Sequence, residues 1–290
     1  MTPFQADLVL VVVTSITGTI FLFTKIGMEE LSPSTFIFYR YGIGALTALL
    51  LYRKSLRSLS WPAVRAGAQL GVLLGVGATL MAYGLQYTDS GKAAFIIATD
   101  IVLVPFLVYA VSREIPGRSV WIGLITAFIG LYLLTYDPTI GFSLQYGDIF
   151  LLGAAFCFTG YIVLNSHVTR RFNVLLLTIS QLSVVTLIAL AWALMDGTFV
   201  FTLSSNLWLN VLYLGIVATG IRFSMQGFGQ KYTSATHAGL IFALEPVFAS
   251  LYGIVFLGEV LNGRQWQGCG LILLGCVVAK IRRRNQGLVA

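Results

Sequence analysis

Ten apolar stretches, each close to the length of a membrane-crossing helix, follow one another along this chain with only short breaks between them. A helix needs about 20 mainly apolar residues to cross a bilayer. The stretches cover residues 6–27, 34–52, 65–87, 91–111, 118–136, 147–167, 174–194, 207–228, 236–257 and 265–281. Charged residues, asparagines and prolines mark the breaks. Pro33, Pro62, Pro116 and Pro138 fall there, where a proline opens the next helix without removing an internal hydrogen bond. The stretches are continuously apolar and lack the roughly ten-residue alternating pattern of barrel strands. The expected fold class is an all-α integral membrane protein with ten transmembrane helices.

Composition excludes the soluble alternatives. Of 290 residues 10% are charged and 57% hydrophobic, far from the balance of a soluble domain. Two histidines and three cysteines in no ligand spacing argue against a metal site, and no glycine-rich segment matches a nucleotide-binding loop. No cofactor is expected. Cys157, Cys269 and Cys276 all sit in apolar runs and read as small buried hydrophobes. The net charge of +7 comes from short basic runs beside apolar segments, so the membrane explains it and nucleic acid is not an expected partner.

Those basic runs set an orientation. Arg53, Lys54, Arg57 and Arg65 lie at the second connection, Arg113 and Arg118 at the fourth, Arg170 and Arg171 at the sixth and Lys231 at the eighth. Lys280, Arg282, Arg283 and Arg284 close the same series, while the opposite side holds Lys25, Lys92 and Arg264. Basic residues favour the cytoplasmic side, so both termini are expected there. The first stretch lacks the basic start and small-residue cleavage site of a signal peptide and is read as a true first helix. A multi-pass protein of a bacterial cytoplasmic membrane is the expected localisation.

The chain also repeats itself. Shifted by 145 positions, the segment from Gln86 to Gly130 lies without a gap over the segment from Lys231 to Gly275. Tyr87 meets Tyr232, Thr88 meets Thr233, Glu114 meets Glu259, Trp121 meets Trp266, Gly123 meets Gly268 and Gly130 meets Gly275, while Asp100 falls on Glu245. Two five-helix units follow, expected as residues 1–138 and 139–290. Five is odd, so the second unit enters the membrane from the opposite face. Arg113 and Arg118 correspond to Gly258 and Gly263, a divergence in charge that suits opposite faces. Inverted repeats are the architecture of secondary transporters, in which one midplane site opens alternately to each side.

The run from Gly239 to Gly275 resembles the EamA family of the drug/metabolite transporter superfamily. The matching features are Glu245-Pro246-Val247, Leu257-Gly258-Glu259, and Gly268 with Gly275. Pro33, Arg40, Glu114, Gly123 and Gly130 are weaker counterparts in the first unit, where Pro105 falls one helical turn later than the proline of the second. The resemblance implies a ten-helix fold around a central cavity, and movement of small metabolites, commonly amino acids. Chain size and topology are similar to bacterial aromatic amino-acid exporters of that family.

An ionisable group inside a span costs about 2.5–3.5 kcal/mol on insertion scales, so it faces a cavity or a partner. Lys25, Arg40, Asp100, Arg222, His237 and Glu245 are such groups, Lys25 lying close enough to a helix end to reach the headgroups. Glu245 either binds a substrate amine, carries a proton, or pairs structurally with Arg222. Asp100 occupies the symmetry-related place, with Arg40 as the alternative partner. Arg222 corresponds to Gly77 and so has no basic counterpart, which favours a role in substrate binding or coupling. His237 stands at a helix start, where it either titrates or makes a simple hydrogen bond, and joins Glu245 and Asp100 as a proton-coupling candidate. Tyr83, Gln86, Tyr161, Asn165 and Gln226 complete the candidate substrate-binding set, because a polar tip inside a span needs a partner.

The function expected from sequence is secondary transport of an amino acid or related metabolite, with export favoured. A channel or passive facilitator is the alternative. An intramembrane enzyme is disfavoured, since the protease-like fragments Tyr136-Asp137 and Tyr146-Gly147-Asp148 flank one loop rather than facing each other. The expected partners are a small-molecule substrate and the lipid bilayer, with the chain a monomer or weak homodimer.

Overall fold

A computed structural model describes residues 1–88, 90–113, 116–135 and 145–286. Glu114, the Tyr136-Asp137 fragment, Pro138 and the expected boundary between residues 138 and 139 lie outside the described residues. Among those described, helix is the only regular structure.

Capping side chains and prolines start the helices where the sequence punctuation places them. In α1 (Pro3–Glu30) Thr2 and Gln5 form a capping box ahead of Pro3, and in α2 (Pro33–Leu51) the Ser32 hydroxyl accepts from Thr35 N–H. A short 3-10 turn leads into α3 (Trp61–Tyr87). The fourth span is split into α4 (Ser90–Ile97) and α5 (Asp100–Ser112), and α6 (Arg118–Thr135) ends the first half. The second half holds α7 (Tyr146–Val168) and α8 (Val174–Met195), then an eighth span made of α9 (Ser205–Gly215), a π-helical segment (Ile216–Ile221) and α10 (Arg222–Lys231). The ninth span is again split, into α11 (Ala235–Phe242) and α12 (Glu245–Leu257), before α13 (Gly263–Gln286).

Among the described residues nine segments are long and apolar enough to cross a membrane. With α13 as the tenth, the ten-helix integral membrane fold expected from sequence is the fold observed. Apolar side chains cover the outside: Leu50, Ile125, Leu194 and Val255 are exposed, as suits contact with lipid, and Trp61, Trp208 and Trp266 stand near span ends.

The two halves interdigitate. Helix α3 packs on α7 and α8, α1 on α10 and α12, and α6 on α13. The α6–α13 seam is set by glycines at matched places. A Cβ built on Gly123 would meet Gly275 O at 2.5 Å, and one built on Gly130 would meet Gly268 O at 2.6 Å. Small residues let helix backbones approach closely in membranes. The glycine pairs that recur between the two units are therefore consumed inside one chain.

Both split spans break at equivalent places, just before an acidic residue. Pro246 has no N–H to give Phe242, and around that break Leu244 N–H turns back to Ile241 O at 3.0 Å. In the fourth span the chain tightens without a proline at that place: Thr99 N–H donates to Ile96 O and Ile101 N–H to Ala98 O, both at 3.2 Å and three residues back rather than four. Asp100 and Glu245 thus become the first residues of α5 and α12, where a helix N-terminus favours negative charge.

Candidate functional site in the centre of the bundle

Arg40 and Arg222 are both buried, at 6% and 8% exposure. Arg40 Nε donates to Thr219 Oγ1 at 3.1 Å, and its guanidinium carbon stands 5.2 Å from the Tyr41 ring centre. Thr219 belongs to the π-helical segment. Contact between that segment and α2 depends on missing side chains, since a Cβ on Gly44 would meet Thr219 Cγ2 at 2.6 Å.

Arg222 follows the π segment directly. Its Nε donates to Ala218 O at 3.0 Å, and its Nη1 donates to Gln226 Oε1 at 3.0 Å and Thr17 Oγ1 at 3.4 Å. The guanidinium carbon lies 3.8 Å from the centre of the Phe223 ring, a close cation–π contact. Single-turn π segments widen a helix locally and occur often at functional sites. Here the segment sits only in the second half: its counterpart α3 is an uninterrupted helix with Gly77 at the equivalent place.

Glu245 lies within electrostatic reach of both arginines and of Asp100. The described residues nevertheless contain no ion pair among these four groups. Glu245 and Asp100 are partly exposed residues, and neither carboxyl forms an ion pair with the arginines. The structural pairings of Glu245 with Arg222 and of Asp100 with Arg40 are not formed. Two guanidinium and two carboxyl groups thus share the centre of the bundle, Glu245 within reach of both arginines and of Asp100, with no direct contact between them.

Aromatic rings pack beside these arginines. Phe223 lies between Tyr41, at 6.1 Å between ring centres, and Tyr161, at 6.0 Å. The Tyr161 hydroxyl and Gln181 Oε1 are buried next to each other, and neither has a well-formed hydrogen bond. From Arg222 a polar track continues along α10: Gln226 Nε2 donates to Gln230 Oε1 at 3.4 Å, and Asn165 Nδ2 donates to the same oxygen. Gln230 Nε2 donates in turn to Ile162 O and Ser166 Oγ, both at 3.2 Å. Ser166 lines a cavity of about 270 Å3 together with His167, Arg170 and His237. The track therefore joins the charged centre to one end of the bundle.

Of the residues singled out from sequence, Arg40, Arg222, Asp100, Glu245, Tyr161, Gln226 and Asn165 belong to this centre or its track. Tyr83 and Gln86 do not. Tyr83 stacks on Trp192 at 4.6 Å and accepts from its Nε1 at 3.2 Å, and Gln86 is exposed near the end of α3. His237 lies at the far end of the track, 3.3 Å from Asp7. Thr219, Gln181, Gln230 and Asp7 escaped the sequence reading. Gln181 and Gln230 carry the same signal as Gln226, an amide inside a span.

The EamA-like transporter family matches this chain twice, over residues 4–136 and 145–280. The chain belongs to that family, and it is a multi-pass membrane transporter. An uncharacterized transporter of Archaeoglobus fulgidus is 30% identical over 277 residues, covering 96% of this chain and 86% of the relative. The uncharacterized transporter YwfM of Bacillus subtilis is 27% identical over 280 residues, covering 93% of this chain and 90% of its own length. A crystal structure with 19% identity superposes with a TM-score of 0.78 over 97% of this chain and 99% of that one, a likeness of fold.

Proposed function

We propose that this chain moves an amino acid or a closely related zwitterion across a bacterial cytoplasmic membrane by alternating access, with export as the working direction. The observation that carries this reading is the unpaired charge at the centre. Buried arginines without a carboxylate partner are costly, and a ligand carboxylate held by Arg40 and Arg222 relieves that cost through charge-assisted hydrogen bonds. Glu245 and Asp100 supply the complementary sites for an ammonium group. The walls of Tyr41, Tyr161 and Phe223 suit an apolar or aromatic side chain.

Glu245 and Asp100 are also the proton carriers in this reading. Two carboxyls at the starts of symmetry-related half-helices release a proton as the substrate ammonium binds, while the substrate carboxylate is met by Arg40 and Arg222. The helical segments α1–α5 and α7–α12 rock about this centre while the α6–α13 seam braces them. The distribution of Lys and Arg supports cytoplasmic termini. Internal use of the glycine seams supports a monomer.

Uptake of labelled phenylalanine into proteoliposomes, with and without a pH gradient and with unlabelled amino acids as competitors, tests the reading. Saturable, competed flux that responds to the gradient is the expected result. Flux that does not saturate would point instead to a channel or passive facilitator.

A further inference from the structure

The same three-residue arrangement occurs at both ends of the bundle. At one end Lys92 Nζ donates to Asp148 Oδ2 at 2.5 Å, and Thr88 Oγ1 donates to Asp148 Oδ1 at 3.2 Å. At the other, His237 Nε2 lies 3.3 Å from Asp7 Oδ1, and Thr233 Oγ1 donates to that oxygen at 3.5 Å. The shift of 145 positions that aligns the halves puts Thr88 on Thr233 and Lys92 on His237. Asp148 and Asp7 both stand near the N-terminus of the first helix of a half, α7 and α1.

The connections are mechanically equivalent. Lys92 ties α4 to α7, and His237 ties α11 to α1, so each triad fastens a half-helix of one repeat to the opening helix of the other. Helices α4 and α11 are the segments that lead to the breaks before Asp100 and Glu245. His237 also lines the cavity that the polar track from Arg222 reaches.

We propose that the two triads are the gates of the transport cycle, and that histidine in place of lysine makes the gate at the Asp7 end alone sensitive to pH. Histidine ordinarily changes charge between about pH 5 and 8, whereas lysine stays charged to about pH 10. Imidazolium attracts the Asp7 carboxylate; neutral imidazole keeps only a hydrogen bond. Acid on that face therefore holds the gate shut, and rising pH loosens it, while the Lys92 gate is indifferent across the same range. The charged or titratable groups on elements around His237 at this end are Asp7 on α1, His167 and Arg170 at the end of α7, Lys231 ending α10, Arg113 and Arg118 at the facing ends of α5 and α6, and the Cys276 thiol of α13, which donates to Leu240 O. Arg170 is held by Thr233 O at 3.1 Å, beside the triad rather than in it.

The inference rests on the alternating-access reading, but its test needs no substrate. Val163 lines the same cavity as His237 and is only 8% exposed. In full-length protein with Cys157, Cys269 and Cys276 replaced by alanine, Val163→Cys is labelled in detergent with a charged maleimide between about pH 5 and 8. Each rate is divided by that of the same thiol in denaturant at that pH. The expected result is a several-fold rise in the normalised rate with pH, flattened to the low value by His237→Lys and to the high value by Asp7→Asn. An unchanged pH rise in His237→Lys overturns the proposal, and this variant decides the matter even if Asp7→Asn does not fold. Failure of phenylalanine uptake with this labelling pattern intact would reject the substrate and leave the gates standing.

Discussion

Arg222 shows how one side chain gathers the features of this site. It caps the exit of a π segment, stacks on Phe223 and begins the track through Gln226. A hydrogen bond to a charged group contributes about 1.5–3 kcal/mol, so Arg222→Gln is expected to weaken substrate binding on the order of tenfold to a hundredfold. Competition curves in proteoliposomes measure this, and an unshifted curve removes Arg222 from the binding set. Glu245→Gln keeps the shape of the carboxyl but cannot carry a proton. Gradient-driven uptake is expected to vanish in that variant while downhill exchange persists, and retained uphill flux would exclude Glu245 as the proton carrier. Arg40, Arg222, Asp100 and Glu245 were legible in the sequence because charge inside an apolar run is conspicuous. Thr219 and Tyr41 were not, because a threonine or tyrosine in a span has many lipid-facing or packed alternatives, and hydropathy gives no azimuth around the helix. Asp7 was not singled out, since its partner His237 lies on the ninth span.

The split spans and the π segment carry the argument from residues to elements. The break before Glu245 was half visible, because Pro246 removes one backbone donor. Its counterpart before Asp100 has no proline at that place and closes through three-residue backbone turns at Thr99 and Ile101. The π segment had no signal at all, as Ile-Val-Ala-Thr-Gly-Ile fits an α-helix equally well in hydropathy. A π segment holds one residue more than the α-helix it replaces. Deleting Val217 is expected to restore α-helix with Arg222 left on the same face, to remove the widening that carries Thr219 against Arg40 Nε, and so to weaken phenylalanine competition, while the protein still elutes as a single species in detergent. Undiminished competition would show that the π segment does not serve the site.

For the molecule as a whole, the ten spans and their inverted duplication were plain from apolar run length and register, which need no knowledge of side-chain direction. The mutual burial of the halves was not, because a repeat specifies similar units without saying how they interlock. The α6–α13 seam makes this testable. Overpacking typically costs about 1–3 kcal/mol, so Gly130→Leu is expected to lower the thermal midpoint in detergent, while Val255→Leu, at a position 72% exposed on the lipid side, leaves it unchanged. Equal midpoints for the two variants would contradict the seam.

In this reading the two arginines and two carboxyls of the mid-bundle, which form no ion pair with one another, recognise both ends of a zwitterion. The most direct measurement is competition against labelled phenylalanine uptake by phenylpropionate, which has only the carboxylate, by phenethylamine, which has only the amine, and by unlabelled phenylalanine. Strong competition by the zwitterion alone, with phenethylamine gaining on it in Arg222→Gln, is the predicted result. Equal competition by all three compounds, or a ranking unaltered by Arg222→Gln, would contradict the account.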